Sequence, residues 1–533
     1  MAGGDDFFVG AELASVLPAQ PNPWYRTPHL RRLNFHLLFV IMSAAGLGFD
    51  GSMMNGLQSL STWNDYFGNP SSALLGLDNA VLNIGPILFG GVVAWCADRF
   101  GRRITLQGGC LIVVLAAAIQ TSAQNIGMFI AARFIIGIGI EFCIVPAPVL
   151  TSELAYPTHR AKLTSLLYTS YFAGSILSSW TTFGTYHMHN STWSWRIPSL
   201  LQAAFPLIQF VALFWVPESP RWLVSKGRVE EARALLVRWH ANGDETSPLV
   251  EYEINEIRSH LRFEAGTGKL GWSQMLKTPA DKKRLILVVY ISFISQWCGN
   301  GIISYYLTLI LKSVGITSSS MQTLLNAILQ IVSWIAAITG GLLVDRLGRR
   351  TLWLGSISGM FISFTVWTAC SAAYDETGTS GLATAVLFLI FLFQVCYSVA
   401  ITPLSISYPV EILPLHSRQK VMGISYIGNS CANLFNSFAS PVAIEAIGWR
   451  YYIIYIVLLA QFGVVVYFFF PETRGCGLEQ IADLFESDKF LLGKAKLSPA
   501  RGESALDDEK EISDVHVEHI GVTDSETPEI VKK

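Results

Sequence analysis

The sequence predicts an all-α membrane protein of twelve transmembrane helices in two pseudo-symmetric six-helix halves, joined by a cytoplasmic helical linker. Composition is the first reason: of 533 residues, 51% are hydrophobic and 14% charged, against roughly 25% charged in a typical soluble chain. The second is that apolar runs of about 20 residues, the length that crosses a bilayer, recur along the chain. The third is an internal repeat of three polar motifs.

The apolar runs fall into two groups of six. They lie near 35–56, 74–97, 105–123, 126–150, 162–184 and 197–216, then near 284–308, 321–344, 351–373, 383–409, 420–443 and 450–470. The polar stretch between the groups has helical patterns at Val229–His240 and Glu251–Glu264. We therefore divide the chain into a cytoplasmic N-terminal segment (1–34), a first half (35–216), a cytoplasmic helical linker (217–283), a second half (284–470) and a cytoplasmic tail (471–533), disordered after about 488.

The distribution of basic residues predicts the orientation of the helices. With both termini in the cytoplasm, ten lysines and arginines fall in short inner loops and three in outer loops, as the positive-inside rule requires. The inner ones are Arg99, Arg102, Arg103, Arg160, Lys162, Arg346, Arg349, Arg350, Arg418 and Lys420; the outer ones are Arg196, Lys312 and Arg450.

Several function classes are disfavoured by the same sequence. A net charge of −2 gives no electrostatic reason to bind nucleic acid. The eight cysteines stand singly, without a CxxC pair, so neither a metal site nor a cofactor is predicted. Since no nucleophile–base pairing or nucleotide loop appears, we do not expect an enzyme.

The internal repeat consists of three motif pairs in the same order. Asp98-Arg-Phe-Gly-Arg-Arg103 recurs as Asp345-Arg-Leu-Gly-Arg-Arg350, Glu153 with Arg160 recurs as Glu411 with Arg418, and Pro217-Glu-Ser recurs as Pro471-Glu-Thr, at offsets of 247, 258 and 254 residues. This pattern predicts a duplicated six-helix unit, whose ligand lies between the halves near the bilayer midplane.

The repeated charges suggest a gating network at the inner ends of the halves. It comprises Asp98, Arg102, Glu153 and Arg160 in the first half, and Asp345, Arg349, Glu411 and Arg418 in the second. When such a network is formed, it holds the inner ends of the two halves together, and when it breaks, the inner ends can separate. The alternative is a set of basic loops that only fixes topology.

Over residues 35–486 the chain resembles a sugar porter of the major facilitator superfamily. The resemblance rests on the two Asp-Arg-x-Gly-Arg-Arg loops and four further motifs: Arg133-Phe-Ile-Ile-Gly-Ile-Gly139, Pro217-Glu-Ser-Pro-Arg-Trp-Leu223, Tyr408-Pro-Val-Glu411 and Pro471-Glu-Thr-Arg-Gly475. It implies the twelve-helix fold, alternating access to a central sugar site, and a plasma-membrane location with surrounding lipids as neighbours.

Two charges within the predicted membrane helices are candidates for proton coupling, because such charges are costly in lipid. Asp50 lies in the first helix and Arg133 in the fourth. The resemblance implies that they face each other and that Asp50 takes up the coupling proton. A static ion pair is the alternative, and some similar facilitators also carry this aspartate. Glu141, also in the fourth helix, has no obvious partner.

The resemblance also implies which side chains bind sugar. They are Tyr168, Gln296, Asn300, Tyr305, Tyr306, Ser333 and Asn429. Compared with hexose carriers, Tyr168 replaces a glutamine, Ser333 an asparagine and Ile406 a tryptophan. The smaller residues at 333 and 406 would enlarge a hexose pocket. In this respect the chain resembles the fungal lactose permease and cellodextrin transporter branch. The alternative for each polar residue, and about equally for Asn433 and Asn436, is hydrogen bonding between helices.

The remaining signals are weaker. Asn190 begins a glycosylation sequon in an outer loop, and His187 with His189 forms an isolated His-x-His. The charged tail suggests ubiquitin and endocytic machinery as partners. The leading interpretation is proton-coupled uptake of a disaccharide (lactose, cellobiose or a cellodextrin). The alternatives are facilitated hexose or disaccharide transport and a sugar sensor, for which the roughly 46 residues after Ser487 are a short tail.

Overall fold

The computed structural model describes residues 11–17, 24–188, 191–266, 278–474, 481 and 485. The first half follows α1 (Ala11–Val16) and contains α2 (Pro28–Ile41), α3 (Ser43–Ser59), α4 (Ser61–Tyr66), α5 (Ser72–Val81), α6 (Ile84–Phe100), α7 (Arg102–Thr121), α8 (Ile126–Ile144), α9 (Pro146–Leu154), α10 (Arg160–Tyr186), α11 (Trp193–Leu201) and α12 (Ala204–Ala212). The linker contains α13 (Pro220–Ser225), α14 (Val229–Trp239) and α15 (Pro248–Gly266). The second half contains α16 (Pro279–Trp297), α17 (Asn300–Ser313), α18 (Ser319–Leu347), α19 (Arg349–Thr377), α20 (Ser380–Ile412), α21 (Leu415–Ile447) and α22 (Tyr452–Phe469).

The twelve predicted membrane crossings are confirmed as an architecture. Nine helical stretches of the described residues are long and apolar enough to span a bilayer. The last of these, Lys420–Phe469, contains two crossings, because α22 folds back on α21 after a turn at Gly448–Tyr451 and Tyr455 donates to Asn436 at 2.7 Å. The 27-residue α10 and the broken α11–α12 pair supply the other two crossings.

The outer surface of the bundle carries large apolar side chains. Trp215, Ile286, Leu342 and Phe388 are each at least 66% exposed in the isolated chain. In water this surface would be strongly unfavourable, whereas the hydrocarbon of a bilayer covers it.

Small residues bring the helices of each half into close contact. Gly48 of α3 faces the Tyr171 carbonyl of α10, and Gly174 of α10 faces the Ala45 carbonyl of α3. A Cβ at either glycine would collide with backbone atoms of the neighbouring helix. The α3–α10 contact therefore depends on glycine at both positions, as is typical of membrane helix packing.

The two halves are joined at one end. We call the end that carries residues 98–103 and 345–350 the inner end, predicted to face the cytoplasm, and the opposite end the outer end. At the outer end, hydrogen bonds connect Ser59 with Thr308 at 2.7 Å and Asn326 with Ser179 at 3.2 Å. Towards the inner end the Tyr168 and Tyr426 hydroxyls approach to only 3.5 Å, and Tyr426 is 43% exposed. The buried hydrogen bonds between the halves therefore lie at the outer end, whereas the contact towards the inner end is long and partly exposed.

Candidate functional site

The inner loop of the first half is built around a glycine and a capping glutamate. Gly101 separates α6 from α7 with φ +104°, a conformation that favours glycine. The first amides of α7, those of Arg102 and Arg103, donate to the Glu218 carboxylate at 3.0 and 3.2 Å. Glu218 thus satisfies amides that lack a partner within the helix and places its charge at the positive end of the helix dipole.

The second half repeats this construction. Gly348, with φ +91°, separates α18 from α19, and the amides of Arg349 and Arg350 donate to Glu472 at 2.8 and 3.0 Å. A Cβ on either Gly101 or Gly348 would collide with the capping carboxylate. The conserved geometry of both loops explains why the sequence carries the same motif twice.

Side-chain ion pairs complete each loop. Arg102 lies 3.5 Å from Asp98 and 3.4 Å from Glu153, which also accepts from the Ser219 hydroxyl. In the second half Arg349 lies 3.1 Å from Glu411, which accepts from Thr473 at 2.5 Å. The side chain of Asp345, the counterpart of Asp98, lies outside the described residues.

Two members of the predicted network have partners outside it. Arg160 pairs with Glu253 of the linker at 3.1 Å. Arg418 donates to the carbonyl of Leu413 at 3.0 Å. Each arginine lies in the first turn of its helix, where its guanidinium also reaches a carbonyl five residues earlier, that of Ala155 for Arg160 and that of Leu413 for Arg418.

Four further residues take part in these networks and were not predicted as members. Glu218, Ser219, Glu472 and Thr473 were recognised only as a repeated motif, although they contact the loops directly. Their repetition together with the Asp-Arg-x-Gly-Arg-Arg loops was the available signal. Two motifs that recur in the same order are expected to meet in both halves.

A fully buried ion pair lies within the first half. Arg133 of α8 is 1% exposed and donates to Asp50 of α3 at 3.1 Å, and Gln202 donates to the same carboxylate oxygen at 2.6 Å. A second carboxylate, Asp78 of α5, lies 3.5 Å from the Arg133 Nε. Asp78 and Gln202 were not predicted, although each is a lone polar residue in an apolar run.

A polar cluster in the second half faces the space between the halves. The seventh crossing breaks where α16 ends and Gly299 takes φ +100°. Next to the break Gln296 donates to Asn429 at 3.1 Å, and Asn429 donates to Ser295 at 3.0 Å. Gln296 and Asn429 are half-buried, so part of each side chain remains accessible next to the break.

Asn300 and Tyr305 continue this cluster along α17. Asn300 accepts from Ser304 at 3.3 Å, and the Tyr305 hydroxyl accepts from Asn433 at 3.2 Å. Asn433 also donates to Asn83 of the first half at 3.0 Å. Amides and hydroxyls arranged next to aromatic rings are the groups that bind sugar hydroxyls and cover sugar C–H faces.

Other predicted binding residues have structural contacts instead. Tyr306 is fully buried and its hydroxyl donates to the Ser437 carbonyl. Ser333 is fully buried and its hydroxyl donates to the Leu329 carbonyl of the same helix at 2.7 Å. In this conformation neither hydroxyl reaches the cavity, so their placement in the binding site is corrected. Tyr168 is half-buried beside Tyr426, toward the inner end. Asn190 and His189 lie outside the described residues.

Asn55 of α3 forms the most extensive contact between the halves. Its amide donates to the carbonyls of Ser304 and Ile303 at 2.6 and 3.0 Å, and its oxygen accepts the Leu307 amide at 3.1 Å. These backbone groups are free because Tyr306 interrupts α17 with φ −134° and ψ 24°. Asn55 lies five residues after Asp50 on α3. It therefore connects the helix that carries Asp50 to α17 at the outer end.

Two six-helix halves around a central polar cavity define a membrane transporter of the major facilitator fold. The chain belongs to the sugar (and other) transporter family, whose model matches residues 37–485. Its membership in a transporter family also confirms that it is not an enzyme.

Named relatives come from fungi. The chain is 28% identical over 484 residues to a high-affinity glucose transporter of Kluyveromyces lactis, covering 86% of each chain. It is 28% identical to the low-affinity glucose transporter HXT1 of Saccharomyces cerevisiae, covering 78% of this chain and 73% of the relative. It is also 28% identical to the MFS-type transporter oryC of Aspergillus oryzae, covering 84% of each.

Solved structures agree with the fold. The inward-open xylose transporter XylE of E. coli matches with a TM-score of 0.70 and 22% identity, covering 85% of this chain and 99% of that one. Its partially occluded inward-open form matches with a TM-score of 0.68 and 20% identity, covering 83% and 100%.

Proposed function

We propose that the chain imports a sugar together with a proton by alternating access. The observation that carries this proposal is the buried Asp50–Arg133 pair beside the polar cluster of α17. Tyr305, which belongs to that cluster, lies near both Asp50 and Arg133. We propose that occupancy of the sugar cluster and protonation of the pair influence each other through α17. XylE, which has the same fold, is a proton:xylose symporter.

Alternating access is supported by the arrangement of the two ends. Hydrogen bonds from Asn55 and Ser59 to α17 close the outer end, and a half-exposed polar cluster faces the inner opening. In the opposite conformation, the ion-pair loops at residues 98–103 and 345–350 would close the inner end. We place the chain in the plasma membrane with both termini in the cytoplasm, from the positive-inside rule and the family.

The substrate we propose is a disaccharide such as lactose or cellobiose. Ile406, which replaces the tryptophan of hexose carriers, is half-buried on α20, and its smaller side chain leaves room for a second sugar ring. Ser333 no longer supports this proposal because it is buried in packing. The second candidate is uptake of glucose or another hexose, which is favoured by the glucose transporters among the relatives.

Uptake into yeast that express the chain tests both parts. Labelled cellobiose, lactose and glucose are supplied with and without a protonophore, at short times. We expect disaccharide uptake that the protonophore abolishes. Glucose uptake without disaccharide uptake would reject the substrate class and favour the hexose candidate, and protonophore-insensitive uptake would reject coupling in favour of facilitated transport.

The matched variants are Asp50→Asn and Asp375→Asn. Asp50 is fully buried in the ion pair, whereas Asp375 is exposed at the end of α19. We expect Asp50→Asn to remove accumulation while some downhill exchange remains, and Asp375→Asn to behave as the wild type. Full accumulation by Asp50→Asn would remove Asp50 from the mechanism. A response in gene expression without any uptake would favour the sensor.

A further inference from the structure

Asp78 is the second carboxylate next to Arg133, whose guanidinium is the only one in this buried site among the described residues. Its side chain is completely buried, and its backbone carbonyl accepts from the Arg133 Nε at 2.9 Å while a carboxylate oxygen lies 3.5 Å from the same nitrogen. Among the described residues, neither carboxylate oxygen of Asp78 has a hydrogen-bond donor. Asp50, in contrast, accepts from both Arg133 and Gln202.

The helices around Asp78 supply no second positive charge within the described residues. Arg133 faces it from α8, Asp50 from α3 and Tyr306 from α17, and Tyr305 and Tyr171 interact with the same ion pair. Phe438 and Pro441 of α21 lie next to Gly76 of α5. Asn433 of α21 donates to Asn83, just after the end of α5. The tyrosines are neutral near pH 7.

The charges of the site therefore do not balance when both carboxylates are ionised. Asp50, Asp78 and Arg133 would then carry a net charge of −1 in a site that is closed to water. A buried charge without a partner is strongly unfavourable, and two carboxylates that share one site retain a proton between them. Since Asp50 holds the two donors, the proton belongs on the carboxylate that has none.

We propose that Asp78 is a proton-binding residue of this transporter: Asp50, Asp78 and Arg133 share one proton, which resides on Asp78 in the outer-closed conformation. This inference rests on the proposed proton coupling and names a second carrier for it. The proton adds to a carboxylate oxygen of Asp78, leaving a neutral acid beside the Asp50–Arg133 pair, and it leaves to water when the site opens. No other bond changes.

Infrared spectroscopy of the purified full-length protein tests the proposal without relying on transport. Wild-type protein near pH 7 should show the C=O band of a protonated, water-excluded carboxylic acid. Asp78→Asn should lose that band. Asp78→Glu should keep a carboxylic acid band at a shifted position, which assigns it even where the asparagine variant fails to fold. The control is Asp375→Asn, which removes an exposed carboxyl at the end of α19 and should leave the band unchanged.

The outcomes separate this proposal from the proposed function. A wild-type protein without the band, an unchanged band in Asp78→Asn or Asp78→Glu, or loss of the band in Asp375→Asn would each overturn the role of Asp78. In proteoliposomes we also expect Asp78→Asn to lose sugar accumulation driven by a proton gradient. If the wild type itself accumulates no sugar but the infrared pattern is as expected, proton coupling fails while the proton site on Asp78 stands.

Discussion

Asn55 and Leu307 are joined across the two halves by a hydrogen bond of 3.1 Å from the Leu307 amide to the Asn55 side chain. The same side chain donates to two carbonyls that the irregular turn at Tyr306 leaves without helical partners. One residue of the first half thus satisfies three backbone groups of the second. Opening of the outer end requires that these three bonds break together.

Removal of the Asn55 side chain should shift the protein towards the outward-open state. Each buried backbone group left without a partner costs about 1–3 kcal/mol, so Asn55→Ala should favour opening by at least about tenfold. The measurement is labelling of a cysteine at Ser179, in the buried outer contact with Asn326, by a membrane-impermeant maleimide.

The control for this variant is Asn64→Ala. Asn64 donates to the carbonyls of Gln58 and Leu60 within its own half, so its loss should leave the labelling rate unchanged. Equal labelling in Asn55→Ala and the parent would show that Asn55 does not hold the outer end closed.

Glu253→Gln should detach the linker from the first half. Glu253 accepts from His240 at 2.7 Å and pairs with Arg160 at 3.1 Å, and its own side chain is only 3% exposed. Because Arg160 is itself 37% exposed, solvent screening reduces the loss, and we expect about 1–3 kcal/mol. A lower Tm of the purified protein in detergent measures it.

Glu251→Gln is the matched control, because Glu251 lies on the same helix as Glu253. Both side chains of its ion pair with Arg233 of α14 are about half exposed. An exposed pair contributes only about 0–1 kcal/mol. Equal Tm changes for the two variants would contradict a docking role of Glu253.

Gly348→Ala should destabilise the inner loop of the second half. The left-handed backbone at Gly348 costs an alanine about 1–2 kcal/mol, and its Cβ would displace Glu472 from the amides of Arg349 and Arg350. Gly355→Ala, in open space within α19, should be neutral or stabilising by about 0.5–1 kcal/mol. The fraction of monodisperse protein after heating compares them, and an unaffected Gly348→Ala would refute the capping argument.

Ile406→Trp tests the size of the sugar pocket. The larger ring fills space on α20 that we assign to a second sugar unit, so disaccharide uptake should fall while glucose uptake persists or appears. The control is Ile454→Trp on the exposed surface of α22. A variant that transports disaccharide at the wild-type rate would show that residue 406 does not limit substrate size.

The fold was largely predictable because lipid imposes simple requirements on sequence. A crossing needs about 20 apolar residues, and this length located the helices without knowledge of their packing. The 3-10 turn at Gly448–Tyr451 coincides with the predicted boundary between the last two crossings. The breaks at Met42 and Val145, within apolar runs, were not predicted because apolarity continues through them.

The site was predictable only in part. Asp50 and Arg133 came from a family resemblance, whereas Asp78 and Gln202 are single polar residues whose partners depend on how four helices pack. The pairing of Arg160 with Glu253 depends on where the linker docks, which periodicity does not determine. Tyr306 and Ser333 were assigned by position in the sequence, but the direction of each side chain follows from the helix rotation.

The capping of α7 by Glu218 has a consequence for biosynthesis. Glu218 follows directly after the sixth crossing, and Glu472 after the twelfth, so the capping residue of each half is synthesised after all the crossings of that half. The first half can therefore fold before the second is translated. Two separately expressed fragments, divided between α15 and α16, are therefore expected to reassemble in one membrane.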